Sequence, residues 1–322
     1  MAKIAYTKGL HELGDGLFAY LQPDGGWGWS NAGLITAGGA SLLVDTLFDL
    51  ELTRAMLDAM APVTERSPIE QAFNTHGNGD HWFGNSLLPD GIPIVASART
   101  IEDMKAAPAA AVNVLFNQLD LGPEFDAFAE RSMRKFDFTS VVERLPTESF
   151  EGRHDVTVGD RKVRLIQLGP AHTQGDSIAH VPDAGVVFTG DILFRLCTPI
   201  GWEGTFDGWL GALDTIAGLA PDVVVPGHGP LCGVEGPREM QAYLRYVRSE
   251  AARFFAQEVP VVEAAKRIDL GPYAGWTEPE RIVFNVARAY RELRGEAWDA
   301  PIDVAALFRG VHEVRAAREA HA

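Results

Sequence analysis

One short segment, residues 74–81, reads Asn-Thr-His-Gly-Asn-Gly-Asp-His and constrains the fold more than any other part of the chain. Its two glycines let the backbone curl tightly enough for His76, Asn78, Asp80 and His81 to converge on one point. Imidazole and carboxylate groups together favour zinc or another first-row metal ion. The segment holds no cysteine, so we predict a catalytic metal site with open positions rather than a structural cysteine-based zinc site.

Three further turns carry the same kinds of side chain, and each follows a predicted strand. They lie around His172 (169–176), Asp191 (188–191) and His228 (225–230). A single His-Gly turn is a weak signal because most lone histidines are structural, but four such turns in this order are a strong one. Ligands at the ends of strands are typical of α/β proteins.

Apolar runs and turn signals predict β-rich, helical, β-rich and helical segments in that order. The predicted strands are 17–21, 31–36, 41–45, 71–75, 92–96, 155–158, 163–167, 177–181, 186–189 and 223–225. Helices are predicted at 51–62 and 207–219, with a helical insert at about 98–145 and a mostly helical stretch from 237 to 294, broken at Pro260 and Gly271-Pro272. A Gly38-Gly39 turn predicts a hairpin. Interleaved strands and helices indicate layered α/β packing.

Together the four turns resemble the metallo-β-lactamase fold superfamily, whose first motif reads His-x-His-x-Asp-His. The resemblance covers about residues 15–232, and Asn31 and Asp45 resemble parts of the family's N-terminal hairpin. It implies an α/β fold, an αββα sandwich of two mixed β-sheets flanked by helices. We expect a catalytic domain at 1–235, including the helical insert, and a helical C-terminal extension at 236–322 packed on it.

The resemblance also implies a branch of the superfamily. Segments 84–89, 171–176 and 188–194 look like a hydrolase and cyclase-like branch that includes aromatic polyketide cyclase–thioesterases.

The resemblance implies two metal positions. The first would use His76, His172 and the residue at position 78, and the second Asp80, His81 and His228, with Asp191 bridging. Position 78 departs from the family motif, because the second histidine is replaced by asparagine. An amide oxygen is a poorer zinc ligand than imidazole, so the first position is weakened, emptied or given to a harder ion. We expect one or two divalent ions per chain, zinc first, with Mn²⁺ or Fe²⁺ as alternatives.

Three polar residues near these ligands have candidate roles. Asp80 is either a metal ligand or the general base that accepts a proton from the attacking water, and the family allows both. Asp45 and Thr173 are expected to orient ligands through hydrogen bonds.

Tryptophans beside the motifs are candidates for substrate binding. Trp27 and Trp29 lie in a glycine-rich loop that overhangs the metal site in the family, and Trp82 directly follows His81. Aromatic rings there would form an apolar wall for a flat or hydrophobic substrate. Ordinary packing is the alternative, and it is favoured for Trp82.

The function expected from these features is metal-dependent hydrolysis of an ester, thioester, lactone or related acyl bond in a small aromatic or hydrophobic molecule, by metal-activated water. One alternative is iron-dependent redox chemistry on the same fold. Another is a metal-free, degenerate member that only binds a ligand.

Composition argues against some partners. Lys and Arg total 28 and Asp and Glu total 44, which gives a net charge of −16 and disfavours nucleic acid. No apolar run approaches a membrane span and no signal peptide is evident at the N-terminus, so we expect a cytoplasmic protein without membrane partners. The helices beyond residue 236 are a candidate homodimer face.

Overall fold

Two mixed β-sheets stand at the centre of the protein, and a computed structural model describes residues 4–320. Residues 1–3, part of the N-terminus considered above, and 321–322 lie outside the described residues. The first sheet has seven strands in chain order: β1 Gly9–Gly14, β2 Leu17–Leu21, β3 Ala32–Ala37, β4 Ala40–Val44, β5 Ile69–Phe73, β6 Ile94–Ser97 and β7 Glu148–Phe150. The second has five: β8 Arg153–Val158, β9 Arg161–Gln167, β10 Ser177–Val181, β11 Val186–Phe188 and β12 Val223–Val225.

Both sheets combine antiparallel and parallel pairs. Strands β1 to β4 form an antiparallel meander, and β4 to β7 pair in parallel. Strands β8 to β11 are antiparallel, and β12 joins β11 in parallel. The predicted hairpin is present: Gly38 and Gly39 have φ of 55° and 81°, which only glycine adopts without strain in a two-residue turn.

The sheets pack face to face on an apolar core. Residues at alternate positions of each strand point inward, as the period-two pattern requires. This core contains Leu17, Leu21, Ile35, Leu42, Val44, Phe73, Val95 and Phe150 from the first sheet, and Val156, Val158, Val163, Leu165, Ala179, Val181, Val186, Phe188, Val223 and Val225 from the second. The arrangement confirms the predicted sandwich of two mixed sheets.

Helices cover the outer faces. They are α1 Leu50–Thr64, α2 Ala98–Ala106, α3 Ala109–Asn117, α4 Pro123–Ser132, α5 Phe206–Gly218, α6 Glu235–Phe255, α7 Val261–Arg267, α8 Ile282–Leu293 and α9 Val304–Glu319. Asp49, Ser97, Thr205 and Asp303 cap four of them, each accepting a backbone N–H of the first turn. The predicted break at Pro260 is present, between α6 and α7.

Some predicted elements are wrong in detail. The insert is helical only to Ser132, and residues 133–147 have no regular structure apart from turns. The predicted strand 71–75 lies at 69–73, and the side chains of Asn74 and Thr75, which follow it, form hydrogen bonds at the site. Strands β1 and β7 were not predicted; β7 is short, and two of its three residues are exposed.

The insert and the C-terminal helices meet each other. Helix α4 packs against α9, where the rings of Phe128 and Phe308 stack at 4.5 Å between centroids. This places the two helical additions side by side above the metal-motif turns. Within residues 4–320, no helix combines the length and the apolar character needed to cross a membrane. The domain boundary at 235, the dimer face and the cytoplasmic location stay predictions.

Candidate metal centre and adjoining cleft

The metal-motif turns lie at the ends of the strands. Asp45 follows β4, the 74–81 segment follows β5, Asp191 follows β11 and His228 follows β12. Strand β4 runs parallel to β5, and β11 runs parallel to β12, so the carboxyl ends of these strands bring their turns to one edge of the sandwich. Strand β9, which precedes the His172 turn, is antiparallel to β10, as β11 is, and therefore ends at the same edge. The four turns that are far apart in the sequence therefore meet.

Asp45 holds two neighbouring segments in place. Its carboxylate accepts hydrogen bonds from the backbone N–H and the hydroxyl of Thr75, both at 2.7 Å, and it lies 2.8 Å from Nδ1 of His81. Because a carboxylate only accepts, Nδ1 carries a proton. Burial acts to lower the pKa of His81, but the charges of Asp191 and Asp80 outweigh it and raise that pKa, so the proton on Nε2 would leave when this atom binds a metal ion. Asp45 has a positive φ of 62°, unusual for a residue other than glycine, asparagine or aspartate in a turn.

Asp191 lies at the centre of the cluster. Its Oδ2 is 3.8 Å from Nε2 of His76, 3.4 Å from Nε2 of His172 and 3.4 Å from Nε2 of His228. Its Oδ1 is 3.2 Å from Nε2 of His81. A carboxylate within 4 Å of four histidine rings has the position that a bridging ligand would need.

The remaining predicted ligands complete the cluster. Oδ2 of Asp80 lies 3.3 Å from Nε2 of His228, and Oδ1 of Asn78 lies 2.7 Å from Nε2 of His172. The structure thus brings all seven predicted ligands together, although their metal-binding role remains a prediction. Two subsets have ligand atoms within 4.8 Å of one another: His76, His81 and Asp191, and Asp80, His81 and His228.

Burial and charge set the protonation of these groups. Burial lowers the pKa of His76 well below its usual value and that of His172 to about 4, so both rings are neutral, the form that binds metal ions. Burial acts to raise the pKa of Asp191, but His228 and His81 outweigh it and hold that pKa well below normal. Asp191 is therefore an anion at neutral pH.

Several ligand atoms of the cluster are buried without a partner. Within the described chain, Nε2 of His76, Nε2 of His81 and Oδ1 of Asp191 form no hydrogen bond, although the last two atoms lie 3.2 Å apart. Leaving buried polar atoms unsatisfied is costly, and it is rare in native structures. A divalent cation would satisfy all three, so the donor set of this chain fits the metal that its fold family implies.

Two glycines permit the close approach of the turns. A Cβ on Gly227 would lie 1.9 Å from Oδ1 of Asp191, and one on Gly190 would lie 2.4 Å from the Thr75 hydroxyl. Side chains at these positions would push Asp191 out of the cluster.

An apolar cleft with a cavity volume of about 180 Å³ opens over the cluster. Asn78, Asp80, His172, Asp191 and His228 line its floor. Its walls come from the loop, the insert and the C-terminal helices: Trp27, Gly28, Phe48, Val112, Leu115, Phe116, Met133, Ile200, Trp202, Arg281, Val304 and Phe308. Residues far apart in the sequence therefore enclose one space beside the predicted metal ligands.

Of the three predicted substrate-binding tryptophans, only Trp27 lines the cleft. Trp82 is fully buried, and its indole N–H donates to the backbone oxygen of Gly77 at 2.9 Å, so its prediction as a substrate contact is wrong and packing is its role. Trp29 lies outside the cleft lining; its ring packs on Phe136 and faces Lys135.

Thr173 also differs from its prediction. Its backbone N–H and hydroxyl both donate to Asp176, at 2.8 and 2.7 Å, and among the described residues it bonds no predicted metal ligand. It closes the turn that follows His172 instead of orienting a ligand directly. Sequence reasoning missed Ile200, whose backbone oxygen lies 2.7 Å from Nδ1 of His172, and Arg281 and Phe308 in the cleft. No local sequence signal marks these three.

Residues 25–228 match the family model of the metallo-beta-lactamase superfamily, and the chain belongs to that superfamily. The match confirms the predicted family and contains all of the predicted ligands. It ends before the C-terminal helices.

Curated relatives match a smaller part of this chain than the family model does. Hydroxyacylglutathione hydrolases from Brucella ovis and Brucella abortus are 30% identical to this chain over 122 residues, which is 37% of this chain and 45% of each relative. The chain therefore matches less than half of the length of these relatives.

Solved structures show the same fold at low identity. The inverting sec-alkylsulfatase Pisa1 from Pseudomonas sp. superposes with a TM-score of 0.67 at 18% identity, over 92% of this chain and 52% of that one. The metallo-β-lactamase FIM-1 from Pseudomonas aeruginosa, in its mono-zinc form, gives 0.54 at 19% identity, over 74% of this chain and 96% of that one.

Proposed function

We propose that the protein is a metal-dependent hydrolase of an ester, thioester, lactone or related acyl bond in a small hydrophobic or aromatic molecule. The observation that carries the proposal is the convergence of seven ligand-type side chains, five of which line the floor of an apolar cleft. Family membership supports a metallo-hydrolase, and the partial likeness to hydroxyacylglutathione hydrolases supports an acyl thioester among the substrates.

Different residues of the chain would bind the metal ions, orient their ligands and hold the substrate. His76, His172, Asp191 and the Asp80/His81/His228 group would hold one or two divalent ions, zinc first. Such an ion, when bound, lowers the pKa of water towards about 7 and polarises a carbonyl group. Asp45 keeps His81 in the tautomer that leaves Nε2 free. The apolar walls exclude bulk water and hold the hydrophobic part of the substrate.

Asp80 has the position needed for proton transfer. Its carboxylate is the most exposed of the predicted carboxylate ligands and lines the cleft, and its backbone oxygen is fixed by the hydroxyl of Ser30 at 2.5 Å. Burial acts to raise its pKa, but His81 and His228 outweigh burial and lower it, so Asp80 is an anion that orients water or accepts its proton.

The test is a substrate panel with the purified protein loaded separately with Zn²⁺, Mn²⁺ or Fe²⁺. It contains an aromatic thioester, a 4-nitrophenyl ester, a lactone and a secondary alkyl sulfate, since the alkylsulfatase shares the fold. We expect acyl substrates to be hydrolysed and Asp80→Asn to lower kcat by about 10²- to 10⁴-fold. Asp49→Asn, a helix-capping change outside the cleft, is the matched control. If none of the acyl substrates is hydrolysed with any of the three metals, the proposal is contradicted.

Asn78 favours one alternative, iron-dependent redox chemistry. Its amide oxygen adds an oxygen ligand beside His172, and oxygen ligands suit Fe²⁺ or Mn²⁺ better than an all-histidine set does. Metal analysis of untagged protein, with an EPR spectrum, separates this alternative from the hydrolase. The metal-free binding alternative predicts no stoichiometric metal in the same measurement.

A further inference from the structure

Arg281 is a cation enclosed in the wall of the cleft. It lies at the start of α8, beyond the part of the chain that matches the family model, and its side chain is fully buried. It lines the same cleft as Asp80, Asp191 and His228. Arginine keeps its charge inside proteins, so the cleft contains a permanent positive charge away from the predicted metal ligands.

Most of the donors of this guanidinium are unused. In the described part of the chain, Nε and Nη2 of Arg281 have no hydrogen-bond partner, and Nη1 has only a long contact of 3.4 Å with the backbone oxygen of Thr198. A buried arginine normally has paired donors, because an unpaired buried charge is strongly destabilising. The unused donors therefore call for an acceptor that enters from the cleft.

No carboxylate in the described part of the chain provides that acceptor. Between residues 4 and 320, no carboxylate oxygen forms an ion pair with Arg281 within 4.0 Å. Glu278 is near enough to be affected by the charge of Arg281. Burial nevertheless raises the pKa of Glu278, which weakens it as a counter-ion.

Trp27 adds a third unused donor at the same place. The guanidinium carbon of Arg281 lies 4.4 Å from the centre of the Trp27 ring, a cation–π contact that fixes the two side chains together. The indole Nε1 of Trp27 is also buried, and no described residue accepts its hydrogen. Two adjacent residues that line the cleft thus have buried donors without a partner among the described residues.

We propose that Arg281 and Trp27 form a subsite for an oxyanion, a carboxylate or a sulfate, carried by an otherwise apolar substrate. A planar guanidinium binds such a group through two parallel N–H donors. The inference rests on the proposed function for the substrate's reacting bond and adds a second requirement, a negative charge held at the wall while the acyl group reaches the floor. The best substrates are then half-esters or thioesters of dicarboxylic acids rather than neutral acyl compounds.

Calorimetry of the purified, metal-containing protein tests the subsite without any reaction. The probes are octanoate, octyl sulfate and octanamide, which share an apolar chain and differ in charge. We expect at least one anion to bind about tenfold or more tightly than octanamide, as a charge-assisted hydrogen bond provides. The stronger of the two anions identifies the group that the subsite prefers.

Variants separate this subsite from the metal ions, which also attract anions. In Arg281→Gln the affinity for the anion should fall to about the affinity for octanamide. Arg281→Lys should retain part of the difference between the two affinities. Trp27→Phe keeps the ring and removes only the N–H, so the preference should fall about threefold. This second variant decides the question if Arg281→Gln does not fold.

Arg288→Gln is the matched control. Arg288 lies in helix α8, is also buried, and its Nε and Nη2 also form no hydrogen bond, although Nε lies 3.6 Å from the carboxylate of Glu292; it lines a different cleft. Its replacement should leave the preference unchanged. The proposal is overturned if neither anion binds more tightly than octanamide, or if the preference is unaltered in both Arg281→Gln and Trp27→Phe.

Hydrolysis is measured separately with neutral and carboxylate-bearing thioesters. If neutral thioesters are hydrolysed but no anion preference exists, the subsite is wrong and the hydrolase stands. If an Arg281-dependent preference exists but no acyl bond is hydrolysed, the hydrolase is wrong and the subsite stands.

Discussion

The side-chain oxygen of Asn78 lies 2.7 Å from Nε2 of His172, while Nδ1 of the same ring lies 2.7 Å from the backbone oxygen of Ile200. A backbone oxygen only accepts, so Nδ1 carries the ring proton and Nε2 has a lone pair. That lone pair meets the Asn78 amide. Either the amide turns so that its N–H donates to Nε2, or both groups bind a shared cation. Asn78 therefore competes with a metal ion for His172 or accompanies it as a ligand.

Asn78→His should raise the zinc content of the protein from about one towards two ions per chain, because three imidazoles then form a zinc set with His76 and His172. Plasma mass spectrometry of dialysed protein measures the content, and anomalous diffraction assigns it to each position. We expect the wild type to hold more metal at Asp80, His81 and His228 than at the first position.

Asn117→His is the control for Asn78→His, since it adds a histidine on an exposed helix position. It should leave the zinc content unchanged. Equal content in the wild type and Asn78→His would show that the geometry of the first position, and not only its ligand type, differs from the family.

Asp45→Asn should weaken zinc binding about 10- to 100-fold, because the amide no longer fixes His81 in the Nδ1-protonated tautomer. The amide oxygen still accepts from the backbone of Thr75, so the turn should persist. Competition with a chromophoric chelator measures the affinity. Asp49→Asn is the control: asparagine caps helix α1 as well as aspartate does, and the affinity should not change. An unaltered affinity in Asp45→Asn would contradict the orienting role.

The metal-motif turns were predictable because their signal is local. Each combines glycine with a histidine or aspartate directly after an apolar run, and the parallel pairing of β4 with β5 and of β11 with β12 then brings them together. Arg281 and Phe308 were not predictable, because they reach the cleft only through the packing of α9 against α4 of the insert and of α8 against α9. A helical tail has many equivalent ways to pack, and its sequence does not select one.

Trp82 shows a second limit. A tryptophan beside a ligand motif has the same local sequence whether its ring faces the cleft or the core. Here the short helical turn at Gly79–His81 carries the ring inward, where its N–H bonds Gly77. Direction of a side chain at a turn depends on two or three backbone dihedral angles that composition does not determine.

Replacing each of the three tryptophans predicted to bind substrate with alanine should give three different results. Trp82→Ala should lower the free energy of unfolding by about 3–5 kcal/mol, because it leaves a cavity in the core. Trp29→Ala removes a half-buried ring and should cost about 1 kcal/mol. Trp27→Ala alone should raise KM as well as lower stability, since only this ring lines the cleft. Urea denaturation and steady-state kinetics on the folded fraction measure both effects. A raised KM in Trp82→Ala, without a change in Trp27→Ala, would reverse the assignment.

Asp103 gives the protein a pH-dependent stability that can be removed by one substitution. Burial raises the pKa of this carboxyl from 3.8 to about 7, although it accepts a hydrogen bond from Gln174, and the charge of Glu203 raises it further. The folded protein therefore binds a proton at Asp103 that the unfolded chain releases near pH 4. This contribution to stability is present in full below that pH and is lost as the pH rises to about 7.

Asp103→Asn keeps an oxygen that accepts from Gln174 and has no charge to lose. The variant should therefore melt higher than the wild type at pH 8, by roughly 2–4 °C for each kcal/mol recovered, and the difference should shrink towards pH 4. Scanning calorimetry at pH 4.5, 6 and 8 measures it. Glu102→Gln, at an exposed position of the same helix, should show no such pH dependence. A constant difference between Asp103→Asn and the wild type at all three pH values would mean that Asp103 is ionised in the folded protein throughout, with Gln174 compensating its burial.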